Sequence, residues 1–190
     1  FFSSVIDGIE EKTNNNGYTI LVTKSNEDMK REIINIESLI SNRVAGIIAS
    51  ISQSTNSGSH FNQIIKRGIP LVLFDRVLDN LNVPKVVGND FEKIYEIVSH
   101  LINSGYKHIG YLGGPSNLNI SKNRIDGYTK ALLDHNIEFN KRLILNVNLN
   151  EDGGFEGAKN LLKQFPKIDA ICCVNDPVAL GVYKYLKKVR

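Results

Sequence analysis

The chain has 190 residues, 42% hydrophobic and 23% charged, with a net charge of +3, a balance typical of a soluble globular protein of one or two domains. No apolar run approaches the roughly 20 residues of a membrane helix. The charge is scattered, with no basic block beyond Lys184 to Arg190, a pattern of solvated helix end rather than nucleic-acid surface.

Residues 1–17 read as a helix, with Phe2, Val5, Ile6 and Ile9 on one face and Gly17 closing it. Tyr18 to Thr23 reads as a strand. Asn26 is placed to cap a helix whose apolar face is Met29, Ile33, Ile36 and Ile40. Val44 to Ala49 is a second strand. A polar Ser/Asn/Gly loop leads to a short helix with Phe61, Ile64 and Ile65, stopped by Gly68. Pro70 to Phe74 is the next strand, 79–84 a loop, and Lys85 to Gly88 a short strand. Asp90 is expected to cap a helix carrying Ile94, Ile97, Val98, Leu101 and Ile102, ended by Gly105. Ile109, Tyr111 and Leu112 form a short strand, and Gly113 and Gly114 allow a tight turn at its carboxyl end. A polar loop and a helix from about Ser121 follow, with Ile125, Tyr128 and Leu132 apolar. Leu143 to Leu149 is a strand, Gly154 to Phe165 a helix and Ala170 to Val174 a strand. In that last strand Cys172 and Cys173 are adjacent and point to opposite faces, so they read as small buried hydrophobes of a reducing compartment, not a disulfide. Asp176 as N-cap and Pro177 in the first turn open the final helix.

Strands alternate with helices, and most strands are near-continuous apolar runs, which predicts parallel sheets covered on both faces. The strand–helix unit recurs in two sets, suggesting two similar lobes that meet near residues 88–92. In open parallel sheets, ligands bind at the carboxyl ends of the strands.

The stretch Gly105-Tyr106-Lys107-His108-Ile109-Gly110-Tyr111-Leu112-Gly113-Gly114, followed by Arg124-Ile125-Asp126-Gly127-Tyr128, resembles the effector-binding module of the lac-repressor/galactose-repressor family. Val174-Asn175-Asp176-Pro177-Val178-Ala179-Leu180-Gly181 resembles a second motif of that family. The resemblance implies an α/β fold of two Rossmann-like lobes with parallel sheets, periplasmic-binding-protein-like of type I. On this pattern residues 1–89 form a first lobe lacking the family's first strand. Residues 90–190 form a second lobe lacking the return strands. The DNA-reading headpiece is not among the 190 residues.

The implied effector is a small sugar or related metabolite held between the lobes, with Phe1, Phe2, Asp75, Arg124, Leu149 and Asn175 as candidate contacts. Asp75 ends a strand and can accept from sugar hydroxyls. Arg124, expected in the first turn of its helix, can offer a guanidinium fork, and its removal is expected to leave the fold intact. The Asn175 amide can both donate and accept. Phe1, Phe2 and Leu149 offer apolar surface. Leu118 and Ile120 stand where some relatives use polar residues. The resemblance further implies a cytoplasmic homodimer acting on operator DNA, with a phosphocarrier protein as co-regulator in one branch. The alternative is a secreted solute-binding protein of a sugar transport system, which shares the fold.

Signals for catalysis are poor. There is no Gly-x-Ser-x-Gly elbow, phosphate loop or His-Glu-x-x-His. Ser59-His60 reads as a loop lacking an acidic third member. The histidines at 60, 100, 108 and 135 are dispersed, none at metal-ligand spacing. An enzyme, a cofactor and a metal site are therefore not expected.

Overall fold

A computed structural model describes residues 1–189; Arg190, the end of the basic cluster, lies outside the described residues. In chain order the elements are α1 (Phe2–Asn14), α2 (Met29–Ser41), β1 (Ile47–Ala49), α3 (Ser59–Lys66), β2 (Leu71–Phe74), β3 (Lys85–Val86) and α4 (Asp90–Asn103). They continue with β4 (Ile109–Gly113), α5 (Asn119–Asp134), a 3-10 turn (Lys141–Leu143), β5 (Ile144–Asn146), α6 (Glu151–Gln164), β6 (Ala170–Cys173) and α7 (Asp176–Val189).

The strands form two parallel three-stranded sheets, ordered β1-β2-β3 and β5-β4-β6. Two α/β lobes result, as the alternating pattern predicts. β4 is central in the second sheet and every one of its residues is buried, because helices cover both faces. Ile109 and Tyr111 pack with Ile94, Val98, Tyr128 and Leu132 on one side. Leu112 packs with Ala158, Leu161, Val174 and Val178 on the other. At the foot of β4 the Lys107 and His108 amides each donate to Asp169 at 2.9 Å, tying the start of β4 to the start of β6.

The first lobe is less evenly covered than its apolar strands predict. Ile47, Leu71 and Leu73 face α2 and α3 through Ile36, Phe61 and Ile64. On the other face Ile48 is 48% exposed, and α1 buries none of its residues. Tyr18 to Thr23 forms no ladder, contrary to expectation. Among the described residues β1 pairs with β2 alone, and no strand lies beside this segment to satisfy its amides and carbonyls.

Several helix starts also differ from the sequence reading. Asp28, not Asn26, caps α2, its side chain accepting from the Lys30 amide at 2.8 Å. Asn26 and Glu27 take left-handed φ of 52° and 63° instead. Asp90 is the first residue of α4 and makes no cap bond; Asn89 precedes it. α5 starts at Asn119, two residues early, because Leu118 and Ile120 are drawn into the first lobe's core. α6 starts at Glu151, where the Asn150 side chain accepts from the Gly153 amide at 2.8 Å. β5 stops at Asn146, leaving Leu149 beyond the strand.

Candidate functional site

The site lies where the loops following β2 and β6 meet the starts of α4 and α5. Asp75 follows β2 with φ +58°, a left-handed conformation that Asp tolerates better than most residues but at some cost. Its backbone is fixed on both sides: its amide donates to Val86 O at 2.9 Å and its carbonyl accepts from Asn119 Nδ2 at 3.3 Å. The half-buried carboxyl has no hydrogen-bond partner among the described residues. Its pKa is raised from the ordinary aspartate value, chiefly by desolvation, with Arg76 opposing, Asp90 adding, Arg124 opposing and Glu27 adding.

Arg124 is the sixth residue of α5 and so lies in its second turn, not its first. Its Nε donates to Asp90 Oδ1 at 2.6 Å, and Nη2 lies 2.6 Å from the same oxygen. Its Nη1 donates to the Val174 carbonyl. The Asp90 side chain is 10% exposed and that of Arg124 22%. Arg124 is therefore a paired, largely buried cation rather than a free cleft residue. The pairing also explains why Asp90 does not cap α4.

Asn175 sits at the end of β6, and its Oδ1 accepts from the Val178 amide at 3.0 Å. The cap expected of Asp176 is thus made by Asn175, because its side chain precedes the helix by one residue. Oδ1 keeps one lone pair, and Nδ2 makes no hydrogen bond among the described residues, so the amide can still donate to a ligand. Phe1 and Phe2 are 76% and 45% exposed. Phe1 meets Phe2 edge-on at 5.2 Å, and Phe2 meets Phe74 at 6.0 Å, beside Asp75. Leu149 packs on the cores of both lobes, which makes it a junction residue. Its Cδ2 and the buried, unpartnered Ser121 hydroxyl both crowd the Gly114 backbone.

The structure thus brings Asp75, Arg124 and Asn175 toward one junction, with Phe2 on the first-lobe side and Leu149 on the seam. Two residues the sequence reading passed over complete it. Asn119 bridges the lobes, accepting from Val77 N at 2.9 Å while donating to Asp75 O. Asn117 Nδ2 donates to Gln53 O at 2.9 Å. Leu118, fully buried between them, and Ile120, just after them, plug the first-lobe core. This explains why two apolar side chains stand in an otherwise polar loop.

Below the Gln53 loop lies a buried cluster. Glu32 Oε2 accepts from Ser52 N at 2.6 Å, while Oε1 accepts from Thr55 Oγ1 and lies within hydrogen-bonding distance of His60 Nε2, both at 2.7 Å. His60 therefore has an acidic partner, contrary to the sequence reading, supplied by a helix 28 positions away. Ser59 does not join it; both belong to α3, and the Ser59 hydroxyl meets Ser57. Among the described residues His60 Nδ1 is buried without a partner, and no serine hydroxyl is bonded to the ring. In the second lobe, burial raises the Cys172 and Cys173 thiols to about 12 and about 11, which keeps them protonated and unreactive.

Two surface cavities of about 450 and 640 Å³, one beside β5 and α6 and the other at the foot of β4, are lined by none of Asp75, Arg124 and Asn175.

The family model for periplasmic binding proteins and the sugar-binding domain of the LacI family matches residues 1–189. The ribose operon repressor of Haemophilus influenzae is 28% identical over 190 residues, covering 99% of this chain and 56% of that protein. The HTH-type transcriptional repressor PurR of Actinobacillus pleuropneumoniae is also 28% identical, with 99% and 55% covered. The chain therefore spans about half the length of these relatives. A sugar-binding transcriptional regulator of the LacI family from Escherichia coli, solved with phosphate, superposes with a TM-score of 0.80 at 26% identity, over 100% of this chain and 68% of that one. The transcription regulator CcpA of Lactococcus lactis superposes at 0.90 with 24% identity, over 100% and 68%, a likeness of fold.

Proposed function

The chain belongs to the family of periplasmic binding proteins and LacI-type sugar-binding domains, and on that premise we propose that it senses the effector of a transcriptional repressor, holding a small sugar or related metabolite between its lobes. The observation that carries this reading is that Asp75 follows β2 of one lobe, Asn175 follows β6 of the other, and Arg124 of α5 donates to the Val174 carbonyl beside Asn175. That is where open parallel sheets take ligands. A ligand touching both lobes favours one lobe arrangement and shifts the population toward it. The shift would pass to operator DNA through a helix-turn-helix headpiece of the kind the PurR relative's name carries. In this reading the protein acts in the cytoplasm as a homodimer, is not an enzyme, and can take a phosphocarrier protein as co-regulator.

The relatives named above are repressors, which favours this role over a secreted solute-binding protein. The test is a thermal-shift screen of sugars and purines. One compound should raise the melting temperature saturably in the wild type and fail to do so in Asp75→Ala. If no compound shifts the melting temperature, the reading falls.

A further inference from the structure

We propose that the cavity at the foot of β4 is a second ligand site, one that takes a small organic phosphate. It lies at the amino end of β4, whereas Asn175 and the inter-lobe junction follow the carboxyl ends of β4 and β6. The proposal stands whether or not a sugar binds at that junction. The cavity, of about 640 Å³, is walled by Lys107, His108 and the 137–143 segment, over a floor of buried Ile109 and Leu132. That volume suits a small molecule rather than a macromolecule. The walls carry Lys107, Lys141 and Arg142 against a single carboxylate, Glu138. Among the described residues no ion pair includes any of these four. Elsewhere exposed lysines do find carboxylates: Lys93 meets Glu96, Lys130 meets Asp134, Lys159 meets Glu156 and Lys184 meets Glu151. Asp169, beside the cavity, is taken up by the Lys107 and His108 amides, and its Oδ2 lies 3.6 Å from His108 Nδ1. Cations gathered round one concavity repel each other, and an anion placed among them relieves that repulsion.

Phosphate fits these cations better than a carboxylate does, because it carries more charge and more acceptor oxygens. Arg142 can supply a fork of two parallel hydrogen bonds to it. The Arg142 Cζ lies 5.1 Å from the Phe165 ring centroid, a contact that occupies a face of the guanidinium and spends none of its N–H groups. The backbone there is fixed by Asn140, whose Oδ1 accepts from the Arg142 amide at 3.0 Å and opens the 3-10 turn carrying Lys141 and Arg142. Lys107 and Lys141 add point charges to the same group. Inorganic phosphate would leave the apolar lining of Ile137, Phe139 and Leu143 in water. An organic part attached to the phosphate covers that lining, which is the reason for assigning an organic phosphate rather than the bare ion.

The test is calorimetric titration of the protein with AMP, phenyl phosphate and inorganic phosphate. At least one of the two organic phosphates should bind at one site per chain, more tightly than inorganic phosphate, and lose affinity as salt rises. Lys141→Gln/Arg142→Gln, at two exposed positions, should weaken that binding about tenfold or more and leave the melting temperature unchanged. Lys107→Gln, on a separate segment, should weaken it as well, whereas Glu138→Gln should tighten it. Asp75→Ala, at the inter-lobe junction, should leave it unaltered. The inference is overturned if neither organic phosphate binds up to millimolar concentration, or if inorganic phosphate binds as tightly as both. It is equally overturned if the lysine and arginine variants bind as well as wild type, if Asp75→Ala abolishes binding, or if the titration shows many weak sites per chain, the mark of a diffuse basic surface.

Discussion

Arg124 and Asp90, 34 positions apart on neighbouring helices, form a largely buried ion pair, with Nε to Oδ1 at 2.6 Å. The same guanidinium reaches the Val174 carbonyl at the end of β6. One side chain thus ties α4, α5 and β6 together beneath the inter-lobe junction, so any role in ligand binding is added to a structural one.

Arg124→Ala should therefore destabilise the protein by about 2–4 kcal/mol, because Asp90 is left as a nearly buried, uncompensated charge. The near-neutral effect expected of an exposed cleft arginine is replaced by this larger one. Arg124→Ala/Asp90→Asn should recover part of the loss. Urea titrations across the double-mutant cycle should show a coupling of about 1–3 kcal/mol; a coupling near zero would remove the pair from the stability account.

Asp75 carries a pH signature. Its folded pKa lies above its unfolded value, chiefly through desolvation. The fold therefore favours the protonated carboxyl, and that contribution is lost as pH rises through the folded pKa. Asp75→Asn, which suits the left-handed backbone at least as well, should be more stable than wild type at pH 7, by less than about 1 kcal/mol given partial solvent screening. The difference should shrink as pH falls toward the ordinary carboxylate range. Melting curves at pH 7 and pH 4.5 check both the sign and the trend.

Glu32 holds the first-lobe loop through Ser52 N, Thr55 Oγ1 and His60. Glu32→Gln places an amide N–H₂ against groups that already donate, and should cost about 2 kcal/mol. Hydrogen exchange should show the Ser52 amide losing protection, while β4 amides keep theirs.

Asn117 and Asn119 reach across to the first lobe. Replacing both by Ala should cost about 1–3 kcal/mol. It should also increase the radius of gyration in small-angle scattering as the lobes separate. Unchanged dimensions would mean that Leu118 and Ile120, packed in the first-lobe core, hold the lobes together unaided.

Two of the motif glycines are packing sites. A Cβ on Gly181 would lie 2.0 Å from Glu151 O, and one on Gly127 2.3 Å from Phe91 O, so helix backbones meet there. Gly181→Ala should destabilise by about 3 kcal/mol through forced helix separation. Gly8→Ala in α1, with open space around it, should stabilise by about 0.5–1 kcal/mol. Thermal denaturation of the two variants side by side tests the contrast.

What the sequence by itself determined is local. Short apolar runs bounded by turn-forming Gly, Pro, Asn or Asp mark β2, β4 and β6, and helical periodicity marks α2, α4 and α5, because side-chain spacing and turn chemistry act within a few residues. Strand ends follow from strand positions, so Asp75 and Asn175 could be placed near one edge before any coordinates. The tertiary structure alone decided which partners those residues meet. No periodicity relates Arg124 to Asp90 or Glu32 to His60, since a hydrogen bond across 28 or 34 positions leaves no repeat in the chain. Leu118 and Ile120 looked like lost polar contacts because their apolar surroundings belong to the other lobe. Tyr18 to Thr23 has a strand's composition and makes no ladder among the described residues, because a strand is defined by the neighbour that satisfies its backbone, and composition does not name that neighbour.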